Sequence, residues 1–389
     1  MNVSEPRVLY VINNAAFFVS HRLVLALEAR RRGFKVSLLS GQAGSETMES
    51  SAESVLMEAG IRHIRVPFTS AGVNPLHELL ALACMIWHVL RLSPDLIHCA
   101  SPKGLLYGGL VARLCRTPAL VLAVSGMGFL HTDTGKPSLS RRAIAAIYGC
   151  LARFAYGHPN VRVIVQNRDD HAQLVAAGLT NDRAIRLIPG SGVALQDYAG
   201  THQDQKEQLV LLPARMLYDK GVAEFVDAVR SVKSALPGWR FLLAGAAGYN
   251  NPSSISADQL GRWVAEGVVE WAGHVDDMRP LYARAAIVCL PSYREGMPKA
   301  LLEAAAASCA VITTDTVGCR EAILPGESGL LVPVRDVPSL ASALRTLCND
   351  SPLRERFGAK GRELAVERFG VDAVLNQTMT IYEELLQHV

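Results

Sequence analysis

Short apolar runs alternate with longer stretches in which apolar positions recur every three or four residues, almost from end to end. A continuous apolar run between polar turns suits a strand buried on both faces, and the longer period suits an amphipathic helix. The pattern therefore predicts βα units and parallel sheets. In the first half, strands are expected at Val8–Ile12, Val36–Leu39, His63–Val66, Leu96–Cys99, Leu120–Val124, Val161–Val165 and Ile185–Ile188. Helices are expected at Ser20–Arg32, Leu76–Arg91, Lys103–Cys115 and Arg142–Phe154. From Pro189 to Gln208 the pattern lapses into PGSGVALQDYAGTHQDQKEQ, which reads as a linker. It then restarts, with strands at Leu209–Leu212, Phe241–Ala244, Val269–Trp271, Ile287–Leu290, Val311–Thr313 and Leu330–Val332. Helices follow at Val222–Ser234, Met278–Ala285, Lys299–Ala307 and Leu340–Cys348. The architecture expected is α/β, two doubly wound Rossmann-like domains spanning 1–198 and 207–370 and facing across a cleft. The length of 389 residues also suits two cores. In such sheets ligands bind beyond the carboxyl ends of the strands, so the cleft is the expected site.

Composition changes this picture little. The net charge of +3 is too small to argue for a nucleic-acid partner. Basic clusters at Arg30–Arg32, Arg113 with Arg116, and Arg141–Arg142 read either as solvated helix ends or as local binding patches. Eight cysteines without a Cys-x-x-Cys pair suit reduced, packed thiols rather than disulfides or a zinc site. Met1–Arg7 leads directly into a strand without a signal-peptide pattern, and the longest apolar run, Leu79–Leu92, is interrupted by His88 and Arg91. A cytoplasmic protein is expected.

The segment YREGMPKALLEAAAASCAVITTD (Tyr293–Asp315) holds two glutamates, Glu295 and Glu303, in surroundings otherwise almost uncharged. Buried carboxylates are costly unless paired. Proline favours the first helical position, so the helix is expected to open at Pro298 with Glu295 in the loop before it. Free N–H groups where Gly296, Met297 and Pro298 lead into that helix make an anion site beside Glu295. A phosphate flanked by two carboxylates would suit a nucleotide sugar, one glutamate meeting sugar hydroxyls and the other the ribose. Two acids eight residues apart on an exposed helix would explain the spacing equally well. Two further stretches follow strands. PARMLYDKG carries Arg215 and Lys220, which could neutralise a diphosphate or simply face solvent. LLAGAAG (Leu242–Gly248), with Gly245, allows a ligand close to the backbone or makes a plain tight turn.

Together these motifs, over Leu209–Val332, resemble the retaining glycosyltransferases of family 4, which have the two-domain GT-B fold. The family's Glu-x7-Glu pattern is matched by Glu295 and Glu303, and its Arg/Lys pair by Arg215 and Lys220. The resemblance implies that Glu295 lies near the transferred sugar, that Glu303 holds the ribose, and that Arg215 and Lys220 bind the diphosphate. It also implies that the turn Gly273–His274–Val275 receives the base. SPKGLLYGGLVARL, VSGMGF and VIVQNRDDHAQLVAAGL in the first half are similar to members that extend lipid-linked sugars. ERFGVDAVLNQTMTIYEELL resembles the family's final helix, so residues 371–389 are expected to cross back onto the first, acceptor-binding domain, the second domain binding the donor. Two stretches depart from the family pattern. The usual Gly-Gly turn after the first strand is replaced by NNAAFFVSHR, in which Asn13 and Asn14 offer side-chain donors. The usual histidine near the donor sugar is replaced by AVSGMGF, with Gly126 and Gly128. His21 and His131 either fill that space or are surface or capping residues.

The function implied is transfer, with retention, of a hexosyl or N-acetylhexosaminyl group from a nucleoside diphosphate donor, UDP above all. The acceptor implied is a glycan hydroxyl on a polyprenyl diphosphate, in capsule or O-antigen synthesis. The chain contains no Asp-x-Asp, and Asp169–Asp170 and Asp276–Asp277 read as helix-start caps, so neither metal nor cofactor is expected. Peripheral contact with the inner face of the membrane is expected, through Leu105–Arg116 or Phe129–Arg142. The rival readings are a nucleotide-sugar epimerase and a non-catalytic nucleotide-sugar-binding subunit.

Overall fold

A computed structural model of the chain describes residues 5–42, 46–69, 74–126, 139–201, 206–249 and 251–387. The chain divides into two compact units, Met1–Ile188 with Leu375–Val389, and Pro189–Val374. Every apolar run read as a strand is one, to within a few residues at its ends.

The sheet of the first unit comprises β1 (Arg7–Ile12), β2 (Lys35–Gln42), β3 (Arg62–Thr69), β4 (Leu96–Ala100), β5 (Ala119–Val124), β6 (Val161–Val165) and β7 (Ile185–Leu187). Its order is β3-β2-β1-β4-β5-β6-β7, and all neighbours are parallel. Strand alternation sends Leu9, Val11, Ile97 and Cys99 into one core with α4 (Pro75–Leu92), α5 (Pro102–Leu114) and α6 (Leu139–Tyr156). Tyr10 and His98, paired in register, face the other way. There they meet Tyr382 of α14 (Val371–Leu386), whose hydroxyl lies 3.0 Å from the Tyr10 hydroxyl and 2.7 Å from His98 Nδ1. The helix expected at Ser20–Arg32 is α2 (Leu23–Arg31), and another helix, α1 (Ala15–His21), precedes it in the stretch expected to be a loop. They break at Arg22, which is buried. Two further helices, α3 (Glu46–Glu58) and α7 (Arg168–Ala176), complete this unit.

The second unit has β8 (Glu207–Pro213), β9 (Arg240–Ala244), β10 (Glu270–Trp271), β11 (Ala285–Leu290), β12 (Ala310–Thr314) and β13 (Gly329–Val332). They form a parallel sheet in the order β10-β9-β8-β11-β12-β13. Val210 and Leu212 pack under α8 (Val222–Val232), α9 (Ala257–Ala265) and α12 (Val337–Asn349), while Leu209 and Leu211 join α10 (Arg279–Arg284) and α11 (Lys299–Ala306). Helix α13 (Ser351–Leu364) precedes α14.

Some expectations need correction. Leu105–Arg116 offers little apolar surface: Leu105, Leu106, Leu110 and Val111 are buried, and Leu114 alone of its leucines is exposed. Glycines draw α5 close to its neighbours, and a Cβ on Gly108 would lie 2.3 Å from Cys99 Sγ. Much of the alternative, Phe129–Arg142, lies outside the described residues, as do Gly128 and His131. The stretch after Pro189 is not a free linker: Val193 donates to the Phe369 carbonyl at 2.8 Å and accepts from Val371 N–H at 3.0 Å. The first-turn acids of α7 are not its cap, since Asn167 accepts the Asp170 N–H at 2.7 Å. All eight cysteines are free thiols. Among the described residues, no helix is long and apolar enough to cross a membrane.

Candidate active site

In each sheet the strand order reverses between two adjacent strands whose following loops diverge, and such switch points open a crevice at the carboxyl ends. In the second unit these strands are β8 and β11. The loop after β8 carries Arg215 and Lys220, and the loop after β11 carries Glu295.

The two loops are stitched together. Tyr293 N–H donates to the Asp219 carbonyl at 2.9 Å. Gly221, at φ 70°, lets the first loop pass so close that a Cβ there would stand 2.1 Å from the Pro291 carbonyl oxygen. Lys220 Nζ consequently reaches Glu295 Oε1 at 2.5 Å, with the two side chains only 18% and 14% exposed. Ser292, fully buried, donates its hydroxyl to the same oxygen at 2.8 Å.

Hydroxyls at the carboxyl end of β12 hold the Glu295 loop from beneath. Thr313 Oγ1 donates to the Leu290 carbonyl at 2.7 Å, Thr314 to that of Ser292, and Thr316 to that of Tyr293 at 2.8 Å. Glu295 N–H donates to Val317 O at 3.1 Å. The backbone of Glu295 is thus fixed on both sides, as a preorganised group requires. The nearby Cys319 thiol is no nucleophile, since burial and the Glu295 charge push its pKa up to about 12.

Glu303 has different partners. Pro298 stands at the cap of α11, one residue before the helix rather than as its first residue. Glu303 lies inside the helix, mostly buried, hydrogen-bonded by the Tyr282 hydroxyl and 3.6 Å from Lys299. Burial raises its pKa, and Lys299 and Tyr282 pull it back only in part.

The remaining expected residues are placed as follows. Arg215 is exposed, with its guanidinium 5.5 Å from the Tyr249 ring centroid and no ion pair among the described residues. Gly245 is a backbone junction: its N–H donates to the Gly273 carbonyl at 2.8 Å, and a Cβ would lie 1.8 Å from Ala214 O. Gly273 has φ 68° with open space around its Cα, exposed His274 pairs with Asp276 at 3.2 Å, and Val275 packs on the core. Met297 is buried, whereas the Gly296 carbonyl lies where a Cβ on Gly318 would be 2.4 Å away.

At the first unit's switch point, between β1 and β4, both asparagines act locally. Asn13 Oδ1 accepts from Ser101 Oγ at 2.7 Å and from Gly104 N–H at 3.2 Å. Asn14 Oδ1 caps α1 by accepting Phe17 N–H at 2.8 Å. Their Nδ2 groups are what each has to offer a ligand. Gly126 follows β5 at φ 134°. His21 ends α1, stacked on Phe17 with ring centroids 4.4 Å apart.

Sequence reasoning missed Ser292, Thr314, Thr316 and Tyr282. The one available signal was VITTDT, because hydroxyls are out of place at the end of a fully buried strand unless something accepts from them. Met278 rather than Asp276 or Asp277 stands at the cap of α10; Asp277, just before it, accepts Arg279 N–H at 3.0 Å. No cluster of three or more His, Cys, Asp or Glu suited to a metal occurs among the described residues.

Two parallel Rossmann-like units, each with a crevice at its switch point, are the parts of the GT-B fold. One family model, for group 1 glycosyl transferases, matches residues 207–350, and another, glycosyl transferase 4-like, matches residues 7–156. The chain belongs to this family of group 1, family 4-like glycosyltransferases. It is 26% identical over 348 residues to the Campylobacter jejuni N,N'-diacetylbacillosaminyl-diphospho-undecaprenol alpha-1,3-N-acetylgalactosaminyltransferase, covering 86% of this chain and 89% of that one. It is 22% identical to the Staphylococcus aureus capsular polysaccharide biosynthesis glycosyltransferase CapM, covering 80% and 82%. Among solved structures, Anabaena HepE in complex with UDP and glucose superposes with a TM-score of 0.75 at 17% identity, over 98% of this chain and all of that one. Sucrose-phosphate synthase from Thermosynechococcus elongatus also gives 0.75, at 18% identity, over 99% of this chain and all of that one.

Proposed function

We propose that the chain moves a sugar from a UDP-sugar to a hydroxyl of a glycan carried on a polyprenyl diphosphate, with retention at the anomeric carbon. The observation that carries this reading is the Lys220–Glu295 pair held rigidly where the loops after β8 and β11 meet. The donor class is supported by HepE, whose structure contains UDP and glucose, and the acceptor class by the relative that acts on a diphospho-undecaprenol.

In this reading the bond between the anomeric carbon and the diphosphate oxygen breaks, and the acceptor oxygen bonds to the same face of that carbon. The acceptor's proton passes to the departing phosphate oxygen. Lys220, Arg215 and the N–H groups heading α11 stabilise the charge that grows on the diphosphate. Glu295 stands beside the sugar, Glu303 accepts from the ribose, and the Gly273–Val275 turn receives the base. The second unit binds donor and the first binds acceptor, with Asn13, Asn14 and Gly126 on its ligand-facing loops. The acceptor's lipid places the work at the inner surface of the cell membrane.

The test is incubation of the protein with UDP-sugars and a polyprenyl-diphosphate-linked sugar, followed by mass analysis and anomeric NMR. An α-linked product from an α-linked donor is expected. A β-linked product would overturn retention, an isomerised donor would mean an epimerase, and donor binding without turnover would mean a binding subunit.

A further inference from the structure

Helix α4 has two apolar faces. Ala81, Met85 and Val89 are buried in the core, as helical spacing requires. The opposite face exposes Leu76 (73%), Leu79 (63%), Leu80 (66%), Trp87 (53%) and Leu90 (60%). An 18-residue helix is about 27 Å long, so these side chains make a continuous outward stripe. The helix's one acid, Glu78, is turned away from solvent, receiving Lys103 Nζ and the Tyr107 hydroxyl, each at 2.6 Å.

The stripe ends at a cation-lined cavity. Arg91, stacked 5.0 Å from the Trp87 ring centroid, helps line a 560 Å³ cavity where β1, β2 and β3 begin. Arg7, Arg30, Lys35 and Arg62 also line it, against the single carboxylate of Glu5. Glu5 is 3.2 Å from Lys35, and Arg7 pairs with Asp95 at 3.3 Å. Arg62 and Arg91 have no carboxylate partner among the described residues. Both flank His88, whose pKa is lowered by burial and then by these two cations, so no acid offsets them there.

We propose that α4 is a membrane-docking face: its leucines and Trp87 enter the bilayer interface, and the cavity at its carboxyl end takes the phosphate of an anionic lipid headgroup. Apolar side chains, an interfacial tryptophan and flanking arginines are what such an interface selects. A second copy of the chain is a poor occupant, because a two-fold contact pairs this face with itself and brings no acidic patch to meet the cations. The proposal deepens the lipid-linked acceptor reading by naming the surface that meets the membrane. It can be tested without acceptor or donor.

The full chain is floated with vesicles of phosphatidylcholine, alone or mixed with phosphatidylglycerol. Flotation is expected only with the anionic vesicles. Leu79→Glu with Leu80→Glu should weaken partitioning by at least about tenfold. Arg62→Ala and Arg91→Ala should each weaken it about fivefold. All four positions lie outside the transferase site, so these variants should keep the wild-type Tm and full transfer to a short-chain, water-soluble acceptor. Wild-type protein remaining at the bottom with both vesicles, or variants floating as well as wild type, would overturn the proposal. So would a concentration-dependent dimer, seen by sedimentation, that Leu79→Glu abolishes. Loss of transfer with flotation intact would instead count against the acceptor reading.

Discussion

Lys220→Ala isolates the most specific feature of the site. In the free protein Lys220 and Ser292 both point at one oxygen of Glu295, at 2.5 and 2.8 Å. Removing the ammonium leaves a sheltered carboxylate with one neutral donor and, in the proposed reading, takes a cation from the donor's diphosphate. The structural cost is modest, because water reaches both partners. A double-mutant cycle with Glu295→Ala should give a coupling of about 1–3 kcal/mol in urea unfolding. The catalytic cost should be larger. If Lys220 meets charge that grows as the sugar–phosphate bond breaks, kcat should fall about 10²–10³-fold, and kcat/KM at least as far. A cation that only holds the donor would raise KM and leave kcat unchanged. Steady-state rates over a range of UDP-sugar, beside thermal melts, separate the two. A folded Lys220→Ala enzyme with wild-type kcat would refute the reasoning.

Glu303 supplies a pH test. Its folded-state pKa is raised, so its contribution to stability is full below the ordinary value of 4.5 and is lost as pH rises through the folded value. Glu303→Gln should flatten that part of the Tm-versus-pH curve, and Tyr282→Phe should shift the acid limb of kcat/KM for donor to higher pH. Gly245→Ala, whose new Cβ would meet Ala214 O at 1.8 Å, should destabilise by about 2–4 kcal/mol in urea unfolding. Turnover should survive EDTA, because Arg215, Lys220 and the start of α11 meet the donor's charge. Complete loss restored by magnesium would show otherwise.

The strands were legible because a fully buried parallel strand is a bare run of apolar residues, with little to confuse it. Helices depended on what covered them. The sequence ETMESSAESVLME of α3 has too many serines and glutamates for its period to show, and α1 was missed because AAFFVSH is only seven residues long and follows two asparagines that read as a loop. Lys220 and Glu295 could be picked out as types at the ends of strands, but not as partners. They are 75 positions apart, and only the strand order brings them together. Ser292 was invisible for another reason, since a serine is ordinary in a turn and its value here is purely geometric, whereas the threonines ending β12 left a signal in VITTDT that said something accepts from them but not what. Leu105–Arg116 misled because a helix whose leucines are mostly buried and a helix meeting lipid share one composition. The outward face of α4 shows only once its inner face is accounted for.

The placement of Tyr382 bears on how the polypeptide matures at the ribosome. Tyr10 and His98 emerge early, yet the hydroxyl that bonds both belongs to a residue 372 positions after Tyr10. Pro189–Val374, by contrast, is one unbroken stretch that needs nothing beyond the first turn of the last helix to finish its core. Synthesis order and folding order are therefore reversed: the part made first is completed last. A premature stop just ahead of Tyr382 would spare the neighbouring stretch and cripple the portion of the protein most distant from it in the message.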